Sequence, residues 1–251
     1  MLSPFADGYD IIVSLHQQCE RGDFEMQILL DTANLAQIKG VLPYFPIDGV
    51  TTNPSILARE AENVKDTLLE IRKLLGPDRM IFAQATAHDS AGILKQAKEL
   101  SDFIGPNFYC KIPITVQGLR AVEMCREAGL KTLVTAIFTP MQALLAAKAG
   151  ADYVAPYVDR LDNITSDGAA VVGEIVRLYK NYGYATKVLA ASFKNIQQVY
   201  NVAAVGTHGV TVSAQLCENL IFHPYTDRSL EDFDISWRSR FGDQGIGDLI
   251  K

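Results

Sequence analysis

The sequence predicts an α/β protein built as a single (β/α)8 TIM barrel with a C-terminal helical tail. Two observations carry this reading. From residue 27 onward, short apolar runs rich in valine, isoleucine and aromatics alternate eight times with longer segments of helical period. The chain has 251 residues, and a barrel of this kind takes about 250. A third observation removes the main competitor. Neither GxGxxG nor GxxxxGK[ST] occurs, so the Gly-rich first turn of a doubly wound nucleotide-binding sheet is missing.

The strands are read at 27–31, 47–52, 81–86, 107–112, 132–136, 152–156, 187–191 and 209–212. Short continuous apolar runs of this type suit parallel strands buried on both faces. The helices between them are read at 33–42, 55–75, 88–102, 116–128, 139–149, 168–181, 194–204 and 214–221. In the 116–128 helix, Leu119, Val122, Met124 and Cys125 form the apolar stripe toward the barrel. Ala143 to Ala147 make a strong helix that stops at Gly150, its predicted C-cap. Residues 26–223 thus form the barrel and 224–251 a C-terminal helix and tail. Phe233, Trp237 and Phe241 are expected to dock that tail on a barrel face or on a neighbouring subunit. The end, 242–251, carries Gly and Asp and reads as mobile. Residues 1–25 lack a basic n-region and a long apolar stretch, so they are no convincing signal peptide. They read as an N-terminal extension ahead of an alternative start at Met26, outside the native chain. Peptides from 1–25 in protein from its native source would overturn that reading.

Composition narrows the function classes. With 48% hydrophobic and 21% charged residues the chain has ample core material. A net charge of −6 argues against nucleic acid as a bulk partner. No apolar stretch approaches the roughly 18 residues of a membrane span. Cys19, Cys110, Cys125 and Cys217 form no CxxC pair, which suits reduced thiols in a cytoplasmic protein. His16, His88, His208 and His223 show no metal-ligand spacing, so no metal site is expected.

One lysine stands apart. Lys111 lies inside the apolar run Phe108-Tyr109-Cys110-Lys111-Ile112-Pro113-Ile114. Burial opposes the ammonium form, lowers the amine pKa and yields a nucleophile toward carbonyls. Pro113 two residues on ends the strand, which places Lys111 near its carboxyl end. The alternative for this segment alone is a lysine that snorkels out of the strand end. Cys110 beside it alternates outward and is assigned to packing.

Barrel chemistry sits at the carboxyl ends of the strands. The polar residues there are Asp31, Asn53, Gln84, Lys111, Thr135, Tyr157, Ser192 and, weakly, Thr211. Each has a bland alternative. Asp31 suits an N-cap for the 33–42 helix, Asn53-Pro54 a turn, Thr135 an ordinary strand residue and Tyr157 a core aromatic. Their convergence around one lysine is what makes a pocket.

These residues also carry a resemblance. Val50-Thr51-Thr52-Asn53-Pro54-Ser55, Phe108 to Thr115, Ala155-Pro156-Tyr157-Val158-Asp159-Arg160 and Ala190-Ala191-Ser192-Phe193-Lys194 resemble four motifs of the transaldolase family, in order, across roughly residues 26–240. That family contains transaldolases and fructose-6-phosphate aldolases. The resemblance implies a class I Schiff-base aldolase that needs no metal or cofactor and acts on sugar phosphates in cytoplasmic carbohydrate metabolism, at the pentose phosphate pathway. It implies a homo-oligomer, with decamers among the forms small members take. It further implies Lys111 as the Schiff-base lysine. Asp31, Gln84, Thr135 and Tyr157 would be the other catalytic groups. Thr52, Asn53, Arg160, Ser192 and Lys194 would bind substrate. Transaldolases usually carry Glu and Phe where this chain has Gln84 and Tyr157. That pair is similar to the aldolase branch, so fructose 6-phosphate cleavage and formation is the expected reaction. Transfer of a dihydroxyacetone unit from fructose 6-phosphate or sedoheptulose 7-phosphate to an aldose phosphate is the alternative. A deoxyribose-phosphate aldolase would need a second lysine at a strand end, and none is read. A sugar-phosphate binder without catalysis would not need a buried amine. Asp159 beside Arg160 departs from the family pattern and is a rival for the guanidinium.

Overall fold

A computed structural model describes residues 25–251; the reading of residues 1–25 as an extension lies outside the described residues, save for Glu25. Eight parallel strands close into a barrel in sequence order. They are β1 (Gln27–Asp31), β2 (Gly49–Thr51), β3 (Met80–Gln84), β4 (Phe108–Pro113), β5 (Thr132–Ile137), β6 (Tyr153–Pro156), β7 (Lys187–Ala190) and β8 (Gly209–Val212). The helices are α1 (Leu35–Val41), α2 (Pro54–Glu60), α3 (Val64–Leu75), α4 (Ser90–Ile104), α5 (Val116–Glu127), α6 (Pro140–Ala149), α7 (Val158–Asp162), α8 (Gly168–Tyr182), α9 (Ile196–Ala204), α10 (Ala214–Asn219), α11 (Pro224–Phe241) and α12 (Ile246–Leu249). Among the described residues no helix is long and apolar enough to cross a membrane.

Strand alternation sorts the core into two layers. Leu29, Phe82, Leu133, Tyr153 and Leu189 fill the barrel interior, with Tyr109 stacked on Phe82 at 4.7 Å. Leu30, Val50, Ile81, Cys110, Ile112, Val134, Val154 and Val188 face outward and meet the helices. Burial also pushes the Cys110 thiol up to about 12, so it stays an inert packing group, as its strand phase predicts.

Most helices start on a side-chain cap that satisfies an orphan backbone donor. Asn34, Asn53, Asn63, Asp89, Thr115, Thr139, Asp167, Asn195 and Ser213 fill this role. Asn34, three residues on from Asp31, caps the first helix, which leaves Asp31 free for the barrel mouth. Gly150 adopts the left-handed conformation that ends α6, as expected.

The structure departs from the sequence reading in three places and narrows it in a fourth. The single helix read at 55–75 is two, because Ala61 is extended and the Asn63 side chain accepts from Asp66 N–H to start α3. A five-residue helix, α7, follows Tyr157. The buried stripe of α5 is Gly118, Ala121, Val122 and Cys125, with Leu119 and Met124 only half-buried at its edges. The tail does not dock on its own barrel. Helix α11 has no buried residue; Trp237 packs on Phe241 at 4.8 Å and donates its indole N–H to Gln244 O at 2.7 Å. Beyond it, α12 occupies part of the end that reads as mobile.

Gly118 shows how tightly α5 sits on β4. A Cβ there would collide with the Pro113 carbonyl oxygen and lie 3.3 Å from Ile112 Cγ2. Gly118→Ala should therefore overpack this contact and cost about 1–3 kcal/mol. In a chain of this size that lowers Tm by roughly 2–10 °C. Scanning calorimetry checks it, and an unchanged Tm would show that the helix simply slides away.

Candidate active site

Lys111 occupies the inner face of β4, in phase with Tyr109 and opposite Gln84 of β3. It is 5% exposed. Its Nζ donates to the Thr52 carbonyl oxygen at 2.8 Å. Burial holds its amine below the ordinary 10.5, and the Asp31 carboxylate pulls partly the other way. Asp31 ends β1 on the same inner face. Burial raises its carboxyl above the ordinary 3.8, while the Lys111 charge and the Thr51 hydroxyl oppose that rise. Burial thus pushes both groups toward neutrality while their mutual attraction favours the charged pair.

Hydroxyls organise the rest of the mouth. Thr51 Oγ1 donates to Asp31 Oδ1 at 2.7 Å and lies 2.6 Å from Thr211 Oγ1. With its one proton given to Asp31, Thr51 accepts from Thr211. Thr135 Oγ1 and the Tyr157 hydroxyl are 3.0 Å apart. Gln84 ends β3 half-buried, with no side-chain hydrogen bond among the described residues. A cavity of about 570 Å³ between α3 and α4, walled by Leu68, Leu100 and Phe103, reaches the site only at Gln84.

The substrate-binding candidates fall into two groups. Asn53 caps α2 through its Oδ1, 2.9 Å from Ile56 N, leaving its amide N–H2 without a partner among the described residues. Thr52 is fully buried, and its hydroxyl donates to Phe82 O at 3.0 Å. Its service to the site runs through the carbonyl that holds Lys111, and Thr51 is the threonine that faces the mouth. On the far side, Arg160 of α7 is exposed, with its guanidinium 5.5 Å from the Tyr157 ring centre. Asp159 does not bind it. The Asp159 carboxylate accepts from Gln198 Nε2 at 3.3 Å and Asn163 Nδ2 at 3.0 Å, so Arg160 makes no ion pair among the described residues. Ser192 is left-handed (φ 64°), and its carbonyl accepts Asp159 N–H at 2.8 Å. Lys194 is exposed beyond it.

Sequence reasoning missed Thr51 and Phe138. Period-two phase marks Thr51, since Val50 faces out. Phe138 meets the Tyr157 ring at 5.6 Å, edge to face, and no local signal marks it.

The balance between the two central charges is testable. Removing the negative charge at Asp31 removes the influence that raises the Lys111 amine. In Asp31→Asn, single-turnover adduct formation, quenched with borohydride at a series of pH values, should keep its acid limb at lower pH than wild type. An acid limb that stays put would show that Asp31 does not act on the amine.

The family model of transaldolase/fructose-6-phosphate aldolase matches residues 28–242. A probable transaldolase of Anaeromyxobacter dehalogenans is 43% identical over 213 residues, covering 84% of this chain and 96% of that protein. One of Kosmotoga olearia is 42% identical over 213 residues, with the same coverages. One of Geotalea uraniireducens is 42% identical over 212 residues, covering 84% of this chain and 98% of its own length. Among solved structures, one titled native KDPGal superposes with a TM-score of 0.56 at 12% identity, covering 79% of this chain and 93% of that one. A mandelate oxidase mutant superposes with a TM-score of 0.53 at 15% identity, covering 76% and 65%. These two likenesses show the barrel alone. The relatives and the family model together show that the chain belongs to the transaldolase/fructose-6-phosphate aldolase family.

Proposed function

We propose that the protein is a class I aldolase that cleaves fructose 6-phosphate to dihydroxyacetone and glyceraldehyde 3-phosphate, and runs the reverse addition. The observation that carries this is the buried Lys111 amine, held by Thr52 O and balanced by Asp31. The Lys111 amine adds to the C2 ketone and water leaves, giving an iminium. The C3–C4 bond then breaks, its electron pair moving into the iminium to give an enamine. The C4 hydroxyl gives up its proton and becomes the aldehyde of glyceraldehyde 3-phosphate. To finish as an aldolase, the enamine carbon must take a proton. Solvent water then hydrolyses the iminium, releasing dihydroxyacetone and the free amine.

Tyr157, with a water held by Gln84 and Thr135, relays these protons. Asp31 hydrogen-bonds the hydroxyls near the cleaved bond and assists proton transfer. Asn53 orients the dihydroxyacetone part, and Thr52 supports that end through its carbonyl. Arg160 and Ser192 bind the phosphate, for which a planar guanidinium is suited, and Lys194 adds charge nearby. The uncovered helix α11 supports a further proposal, that the protein works as a cytoplasmic homo-oligomer with this helix against a neighbouring copy. Sedimentation as a 27.6 kDa monomer at micromolar concentration would overturn it.

The names of the relatives favour a second reading, a transaldolase that passes the same dihydroxyacetone unit to an aldose phosphate. A paired assay separates the two. Fructose 6-phosphate is supplied with and without erythrose 4-phosphate, and glyceraldehyde 3-phosphate release is followed. Release without the acceptor supports the aldolase. Release only with it supports the transaldolase.

A further inference from the structure

We infer that Phe138 is a positioning residue for the proton-transfer step, fixing the ring of Tyr157, and that a left-handed turn at Ala136 puts it there. The inference rests on the Schiff-base reading above and assigns how its proton relay is held.

Strand β5 does not run straight. Ala136 has φ 60°, in the left-handed region that a Cβ disfavours, and the register with β6 shifts between Thr135 and Ile137. Inward phase runs through Leu133 and Thr135, so an unbroken strand would send Ile137 inward as well. Ile137 is instead fully buried in the outer layer, against the helices. One extra residue at Ala136 has reversed the alternation, as a bulge does. Phe138 then follows on the mouth side, and its ring meets Tyr157 at 5.6 Å and 76°.

Strand β7, on the other side of β6, keeps its register through Ala191. Ser192, just past its end, is the second left-handed residue beside this segment. The Tyr157 segment is suspended between the two. Tyr157 N–H donates to Ile137 O at 3.1 Å, Val158 N–H to Ala191 O at 3.0 Å and Asp159 N–H to Ser192 O at 2.8 Å. Strained residues persist where surrounding structure over-determines them, and they gather where geometry matters for function. The backbone of Tyr157 is thereby fixed, but its ring still has two torsions. The Thr135 bond fixes the hydroxyl's distance and not the tilt of the ring. Phe138 and Arg160 supply that remaining constraint, an aromatic edge contact and a cation 5.5 Å from the ring centre.

Two readouts separate positioning from plain packing. The first is formation of the borohydride-trapped adduct on Lys111 from fructose 6-phosphate, which needs no enamine protonation. The second is release of dihydroxyacetone, which does. Phe138→Leu should leave trapping within about twofold and slow release about tenfold, the worth of one aromatic pair. Phe138→Tyr, which keeps the ring, should restore release. In a Tyr157→Phe background the Phe138→Leu effect on release should vanish, because there is no hydroxyl left to aim. If the leucine variant fails to fold, Phe138→Met supplies similar volume without the ring. Trapping and release that fall together, or an undiminished effect in the Tyr157→Phe background, would overturn the positioning role alone. No trapped adduct in the wild type would overturn the Schiff-base reading and this inference with it.

Discussion

Lys111→Ala is expected to reduce turnover of fructose 6-phosphate by about 10⁴-fold or more, the scale at which enzymes lose a covalent nucleophile. Lys111→Arg should do no better. Arginine keeps the charge beside Asp31 but stays protonated and cannot form an imine. If Lys111 acted only as a cation in the mouth, the arginine variant would retain activity, so it separates a nucleophile from a charge. The fold should survive both changes. The alanine variant removes a buried amine whose burial opposes its charged form, along with one hydrogen bond to Thr52 O. Those two effects oppose each other, so Tm should stay within a few degrees. Near-wild-type turnover in either folded variant would overturn the Schiff-base reading, as would a borohydride adduct that forms elsewhere in Lys111→Ala.

Much of this site is legible in the amino-acid sequence, and the reason is geometric. Asp31, Gln84, Lys111, Thr135 and Tyr157 each lie at or just beyond the end of a strand with apolar neighbours, so period-two alternation fixes which way they point. Strand β2 gives a weaker guide, resting on Val50 alone. It is three residues long and begins at Gly49, which has no side chain to mark the phase, so Thr52 stands out over Thr51. The bulge at Ala136 is invisible for a different reason. A left-handed glycine announces itself, but a left-handed alanine looks like any strand residue, and Phe138 is lost with it. Helix boundaries fail where a cap competes with periodicity. The apolar pattern of 55–75 runs through Ala61 and Glu62 without a break, and only the Asn63 side chain stops it. The tail shows the limit of single-chain reasoning. Phe233 and its neighbours are apolar enough to demand cover, but the barrel that bears them does not provide it.

Tyr157→Phe tests the one group on which the choice of reaction turns. The substitution keeps the ring, and so keeps the contacts with Phe138 and Arg160; it removes only the hydroxyl bonded to Thr135. Losing that half-buried bond should cost about 1 kcal/mol of stability, small enough for the variant to fold. The chemical loss should be much larger. A positioned proton donor contributes about 10²–10⁴-fold, so acceptor-free release of dihydroxyacetone should fall by at least about 10². Schiff-base trapping on Lys111 should persist, because imine formation precedes both of the proton transfers that Tyr157 relays. With the enamine left unprotonated, added erythrose 4-phosphate can capture it, so the ratio of transfer to release should rise. An inverse result is equally informative. If acceptor-free release is unchanged, the proton reaches the enamine by another route, and Tyr157 is only a wall of the pocket. If wild-type enzyme shows no acceptor-free release at all, the phenol beside Thr135 does not make this chain an aldolase, and the dihydroxyacetone unit leaves only on an aldose phosphate.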